Sequence, residues 1–280
     1  MSQEDDLFRR CGLATLALFK NEKYQEIWKI LEEKQSLFLE HQPEFRSSHY
    51  KWPSDSLHNW SRIWEYPFVY FHVEKYLQEN KSDISQIKIA DVGSGVTFFP
   101  FAIAELGTSV ICFDPDPVVS NDVPKAAEIL GYKKKEVTVG KTDGHKLNVE
   151  DDSLDCIVCV SVLEHVKNWN LLIEECRRAL RVNGRLILTI DLGLNQFGEI
   201  QPDRHKQLIR DLMEKFELLY PFQSTHPAEL LTSSSSSYPI YPWAWHWRRI
   251  YLRMQLLAWK LLGIDKTPHL ACEGLVFVKK

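Results

Sequence analysis

The stretch Ile87-Lys88-Ile89-Ala90-Asp91-Val92-Gly93-Ser94-Gly95 decides how the rest of the chain reads. Its first six residues form a short, largely apolar run of strand type, and the two glycines behind it predict a sharp turn. Phe98 to Leu106 then carries a helical pattern that stops at Gly107, so the glycines fall between a strand end and a helix start. At such a place the free backbone N–H groups and the missing Cβ let a ligand approach the main chain. G-x-G alone implies only a nucleotide-like ligand. Asp91, two positions before the first glycine, sharpens the reading, because a carboxylate aimed at the turn repels a pyrophosphate and attracts an ammonium.

Downstream, the same texture repeats. Ser109 to Phe113 predicts a second strand, Pro124 to Leu130 a helix ended by Gly131, Glu136 to Val139 a third strand and Leu154 to Ser161 a fourth. Leu171 to Arg181 reads as a helix, and Asn183-Gly184 as a turn into the strand Arg185 to Ile190. Strands alternating with helices imply a parallel sheet covered on both faces. Leu275 to Val278 closes the chain as a further strand.

Upstream, residues 1–80 read as largely helical. Leu7, Cys11, Ala14 and Leu18 recur at helical spacing, as do Tyr24, Ile27, Trp28 and Leu31, and Pro43, Pro53 and Pro67 punctuate the segment. Beyond Asp191, residues 203–218 look helical, Thr232 and Ser233 to Ser237 form a low-complexity loop that suggests a moving segment, and a basic, apolar-faced helix spans 248–262. The chain therefore divides into a helical cap (1–84), an α/β core (85–200), a helix with an aromatic lid insertion (201–262) and a final strand (263–280).

Three further signals accompany Asp91. Asp114 follows the second strand, 114 − 91 = 23 positions on, where a carboxylate accepts ribose hydroxyls. Thr142-Asp143-Gly144-His145 follows the third strand, where a carboxylate suits an adenine amino group. Ser161-Val162-Leu163-Glu164-His165-Val166 follows the fourth.

With these residues in place, the segment 85–191 resembles the class I S-adenosylmethionine-dependent methyltransferases, in the small-molecule branch with the methyltransferase type 11 pattern. The resemblance rests on Asp91-x-Gly93-x-Gly95, Asp114, Asp143-Gly144, Leu163-Glu164-His165-Val166 and Leu180-Arg181-Val182-Asn183-Gly184-Arg185. It implies a Rossmann-like three-layer sandwich with a seven-stranded, mostly parallel sheet whose last strand is antiparallel. It also implies that Asp91 organises the turn and the methionine ammonium, that Gly93, Ser94 and Gly95 admit the cofactor, that Asp114 holds the ribose, that Asp143 and Gly144 hold adenine, and that Ser161 contributes backbone contacts. Thr97 stands where the family often has a third glycine, so the loop is less open or the first helix starts differently.

Composition narrows the acceptor. The 280 residues carry 34 basic and 38 acidic side chains, 34 − 38 = −4, which argues against a nucleic-acid substrate. No run of about 18 apolar residues is present. The acidic amino terminus lacks a secretory pattern, and six scattered cysteines suit reduced thiols, so a cytoplasmic protein is expected. Cys156 and Cys159 lie inside a strand, which argues against a redox or zinc motif, and no metal is expected. Nine tryptophans are present, and all but Trp169 lie toward the two ends. Arg62, Trp64 and Tyr66 in one segment and Trp243 and Trp245 in another are therefore expected to wall the acceptor pocket, with Arg62 pairing with the cofactor carboxylate or the substrate and His165 as the candidate base. The expected reaction is O-methylation of a small metabolite or short peptide, in secondary metabolism. N-methylation, a nicotinamide-dependent oxidoreductase and a non-catalytic partner-binding subunit are the alternatives.

Overall fold

The computed structural model describes residues 7–80, 84–133, 136–195, 200–238 and 269–280. The first strand predicted from the sequence lies in the middle of the sheet. This strand, β2 (Lys88–Val92), has β3 (Ser109–Phe113) on one side and β5 (Leu154–Val160) on the other, both parallel to it. A strand paired on two edges and covered on two faces has to be apolar nearly throughout, and Ile89, Ala90 and Val92 are all buried. Outward from β3 comes β4 (Val137–Val139), and outward from β5 come β6 (Leu180–Gly193), parallel, and β8 (Leu270–Val278), antiparallel.

The far edge of β8 is shared by two dipeptides, β1 (Gly12–Leu13) and β7 (Glu217–Leu218). The sheet thus has eight strands in the order β1-β8-β6-β5-β2-β3-β4, with β7 on β8, where seven are expected. The additional strand comes from the amino-terminal segment, whose predicted helix is absent. Phe8, Cys11, Ala14 and Leu18 are fully buried because an extended chain runs along β8. Gly12 has φ +132°, a conformation closed to a helix, and a Cβ there would lie 2.7 Å from the Gln223 carbonyl oxygen. A single 3₁₀ turn, Leu16–Lys20, follows.

The helix α1 (Glu22–Phe45) buries Tyr24, Ile27 and Leu31 as their spacing predicts, and it runs through Pro43. Pro67 likewise lies inside α2 (Arg62–Glu79) rather than ending a segment. Lacking an N–H, it leaves the Ile63 carbonyl without its helical partner, and the Tyr24 hydroxyl donates there at 2.8 Å. Next come the short α3 (Phe99–Ala104) and α4 (Pro117–Ile129). The latter starts at Pro117 rather than Pro124, because the Asp116 carboxylate caps the Val118 N–H at 2.9 Å. These four helices contact one another over one face of the sheet, while α5 (Trp169–Ala179) and α6 (Pro202–Lys215) pack together over the other. The serine loop is laced to its surroundings. Ser233 exchanges bonds with Leu270, Ser234 Oγ meets His269 Nδ1 at 2.9 Å, and Ser236 Oγ donates to the Trp60 carbonyl at 3.0 Å. The predicted helix over 248–262 lies outside the described residues. Among the described residues no helix is long and apolar enough to cross a membrane.

Candidate active site

At the carboxyl end of β2 the chain turns through Gly93 (φ +75°) and Gly95 (φ +56°). The Gly93 N–H donates to the Phe113 carbonyl at 2.7 Å, which leaves no room for a side chain, since a Cβ would come within 2.3 Å of Val162. The Gly95 N–H donates to Asp114 Oδ2 at 2.9 Å, and Asp114 Oδ1 accepts the Asp116 N–H at 2.8 Å. One carboxylate after β3 thereby fixes both the glycine turn and the start of the next helix. The Tyr50 hydroxyl, from the segment between α1 and α2, accepts the Val96 N–H at 2.7 Å and lies 2.4 Å from where a Gly95 Cβ would stand. Ser94 is buried, with its hydroxyl on the Gly95 carbonyl at 3.2 Å. Thr97, in place of a third glycine, donates from its hydroxyl to the Ser94 carbonyl at 3.2 Å, and α3 begins two residues later.

Asp91 is 4% exposed and receives no hydrogen bond from a described side chain. Burial, helped by the nearby charge of Asp114, pushes its carboxyl up to about 7. An acid held in this state is suited to a cationic partner. Beside this turn, Asp91 and Asp114 suit a ligand that presents an ammonium to the first carboxyl and hydroxyls to the second.

A second group of side chains meets at the ends of β5 and β6. Ser161, directly after β5, takes φ +49°, an uncommon conformation for a residue with a Cβ. Its hydroxyl donates to Glu65 Oε1 at 2.5 Å, as does that of Thr189 on β6. Arg62, at the first position of α2, donates to Glu65 Oε2 and, at 2.9 Å, to Ser161 Oγ. Glu65 is fully buried. Burial opposes its ionisation but is outweighed by Arg62 and by the hydroxyls of Ser161, Thr189 and Ser61, which hold the carboxyl below its usual range. Glu164 lies nearby, with Oε1 accepting the Asp191 N–H at 2.9 Å. Burial pushes its carboxyl up to about 8.

The structure brings most of the anticipated residues toward these two groups. Tyr66 is buried, stacked on Phe99 at 4.4 Å, with its ring beneath the Arg62 guanidinium. Gly144 (φ +92°) lies against Pro115, so Asp143 and Gly144 come beside the Asp114 strand end. The Asp143 carboxylate is exposed and accepts the N–H groups of His145 and Lys146 at 2.9 and 2.7 Å, which hold it below the usual range. Trp64 points elsewhere, stacked on Phe68 at 4.7 Å and pressed against Gly274 of β8. His165 is exposed on a 3₁₀ turn, Leu163–His165, while its neighbour Glu164 is buried. Trp243 and Trp245 lie outside the described residues. Sequence reasoning overlooked Tyr50, Glu65, Glu164 and Asp191. Of these, Glu164 stands inside the Leu163 to Val166 motif and Glu65 between Trp64 and Tyr66.

A family profile described as a methyltransferase domain matches residues 90–188, the segment that builds both groups apart from α2, Tyr50, Thr189 and Asp191. Over this segment the chain is similar to methyltransferase domains. An uncharacterized methyltransferase of Mycobacteroides abscessus is 32% identical over 110 residues, 39% of this chain and 42% of that protein. A ubiquinone biosynthesis O-methyltransferase of Xanthomonas oryzae pv. oryzae is 28% identical over 113 residues, 38% and 44% of the two chains. The chain thus spans under half the length of these curated relatives. Among solved structures, the (4+2)-cyclase SpnF superposes with a TM-score of 0.56 at 16% identity, covering 88% of this chain and 96% of that one. The YcgJ protein of Bacillus subtilis superposes at 0.51 and 14% identity, covering 75% and 99%. At such identities the likeness shows the fold alone.

Proposed function

We propose that the chain transfers a methyl group from S-adenosylmethionine to a small-molecule acceptor. The observation that carries this reading is Asp91: a buried carboxyl beside a glycine turn, raised toward neutrality, with no side chain among the described residues to answer it. In this reading Asp91 takes the methionine ammonium, Gly93, Ser94 and Gly95 line the cofactor, and Ser161 contributes backbone contacts. Asp114 takes the ribose. Both its oxygens already hold backbone N–H groups, but a carboxylate has about four acceptor positions and retains room. Asp143 and Gly144 flank adenine. The bound cofactor supplies a methyl group on a sulfonium, and the protein's part is to orient the acceptor toward it and to exclude water.

A small metabolite or short peptide suits the acidic chain, and the similarity to a ubiquinone biosynthesis O-methyltransferase supports an oxygen acceptor as far as it reaches. Calorimetry with S-adenosylhomocysteine is the first test. Micromolar binding by the wild type and its loss in Asp114→Ala are expected, whereas no binding, or an unaffected variant, removes the proposal. Incubation with labelled S-adenosylmethionine and cell extract is then expected to label a small molecule. Binding without any labelled product would favour a non-catalytic partner-binding subunit instead.

A further inference from the structure

Helix α4 turns Val119, Asp122, Val123, Ala126 and Ala127 inward, and Asp122 is the one acid of that stripe. It is fully buried. A carboxylate among apolar neighbours is costly unless donors reach its oxygens, so its partners show what it is there to hold. They come chiefly from Ser47, 75 positions earlier. The Ser47 N–H donates to Asp122 Oδ2 at 2.7 Å and the Ser47 hydroxyl to Oδ1 at 2.6 Å. The Asn121 amide also donates to Oδ1, at 2.8 Å, and the Arg46 guanidinium adds an attraction through space.

Ser47 opens a strap between α1 and α2 that folds back on itself. The Tyr50 N–H donates to the Ser47 carbonyl at 3.1 Å. The Arg46 guanidinium lies 4.7 Å from the centre of the Tyr50 ring and donates to the Trp52 carbonyl, and Gln42 Nε2 donates to the Ser54 carbonyl at 3.1 Å. Fixing Ser47 therefore fixes the Tyr50 ring.

The far end of that ring rests on the glycine turn. Three N–H groups of the turn are held: Gly93 by the Phe113 carbonyl, Gly95 by Asp114 and Val96 by the Tyr50 hydroxyl. Only the last acceptor comes from outside residues 90–188, the segment similar to methyltransferase domains. Helix α4 thus supports the turn twice. Asp114, just ahead of its first residue, does so directly, and Asp122 does so through Ser47 and Tyr50.

We propose that Asp122 is a positioning residue for the cofactor: by seating Ser47 it places Tyr50 on the glycine turn and sets the shape in which that turn receives S-adenosylmethionine. The proposal rests on the methyl-transfer reading and deepens it. A segment of the amino-terminal cap, anticipated as part of the acceptor wall, then serves the cofactor site as well.

Calorimetry of S-adenosylhomocysteine binding to the full chain tests it, with Asp122→Asn, Ser47→Ala, Tyr50→Phe and the double variant Asp122→Asn/Tyr50→Phe. Asp122→Asn keeps the volume and one acceptor oxygen, and should weaken binding by about two- to tenfold, the worth of one net hydrogen bond. Ser47→Ala should act in the same direction, and it decides the matter if Asp122→Asn does not fold. Because Asp122 acts through Tyr50, the double variant should bind no more weakly than the weaker single one. A residue that served stability alone would give additive losses or none. In the ligand-free chain the Val96 amide resonance should move in Asp122→Asn and Ser47→Ala as it does in Tyr50→Phe, while the amides of β8 stay in place. Wild-type affinity in Asp122→Asn and Ser47→Ala, an unaffected Tyr50→Phe, additive losses, or an unmoved Val96 amide would each overturn the proposal. Failure of the wild type to bind S-adenosylhomocysteine would instead sink the methyl-transfer reading, and the Val96 amide would still decide whether Asp122 seats the strap on the turn.

Discussion

At the residue scale, Asp91 combines poor solvation with a proposed task. Its folded carboxyl stands near 7, above the value of about 3.9 in an unfolded chain, so folding favours the protonated form. Its contribution to stability is therefore complete below about pH 4 and declines as pH rises toward 7. Asp91→Asn should make the cofactor-free chain more stable at pH 8 by about 1–3 kcal/mol, as measured by urea titration, and should remove that slope. The opposite sign holds for binding. Pairing with an ammonium requires the ionised form, so wild-type affinity for S-adenosylhomocysteine should climb between about pH 6 and 8 and stay flat and weak in the variant. A pH-independent wild type would contradict the role given to Asp91. Tyr50 is the other residue with a distinct expectation. Tyr50→Phe deletes the acceptor of the Val96 N–H, costs about 0.5–1.5 kcal/mol of stability, and should weaken S-adenosylhomocysteine binding several-fold by loosening the turn. Unchanged calorimetric affinity would assign Tyr50 to packing alone.

At the element scale, β8 ties the molecule together. It pairs with β6 along its length, receives β1 and β7 on its other edge, and carries the rings of Trp64 and Phe68 on Gly274. A Cβ at Gly274 would stand 2.7 Å from both rings. Gly274→Ala should accordingly destabilise the chain by about 1–3 kcal/mol through overpacking, and Trp64→Ala by about 3–5 kcal/mol through the cavity it leaves. Denaturant midpoints check both. If Trp64→Ala instead spares stability and abolishes labelling of the small molecule, the ring belongs to the acceptor wall as its sequence position suggested. The elements also show what periodicity conveys. Helix α5 was legible because Trp169, Leu172, Ile173, Cys176 and Ala179 recur with the helical period and face one side. The segment around Leu7 to Leu18 carried a similar spacing, but Cys11 to Thr15 run extended along β8, since a buried edge segment is apolar whatever its period. Gly12 was the local sign against a helix there.

At the scale of the whole molecule, a ligand that binds only the folded chain stabilises it by mass action. At about a hundred times its dissociation constant S-adenosylhomocysteine adds about 2.7 kcal/mol, which for a chain of this size raises the melting temperature by roughly 5–10 °C. NADH at the same excess should leave it unchanged, and the reverse result would restore the oxidoreductase alternative.

The sequence by itself determined the alternation of strands and helices, the glycine turn, and the acids at the carboxyl ends of β2 and β3, because turn chemistry and burial on both faces are properties of neighbouring residues. Tertiary structure alone decided which charges meet. Glu65 and Ser161 are 96 positions apart, and Glu65 and Thr189 are 124 apart, so no spacing could announce the cluster they share. Whether a carboxyl is paired or left wanting a donor depends on the desolvation and the partners that folding supplies. That is why His165 looked like the reactive group beside β5, while Glu164 is the one that the fold buries.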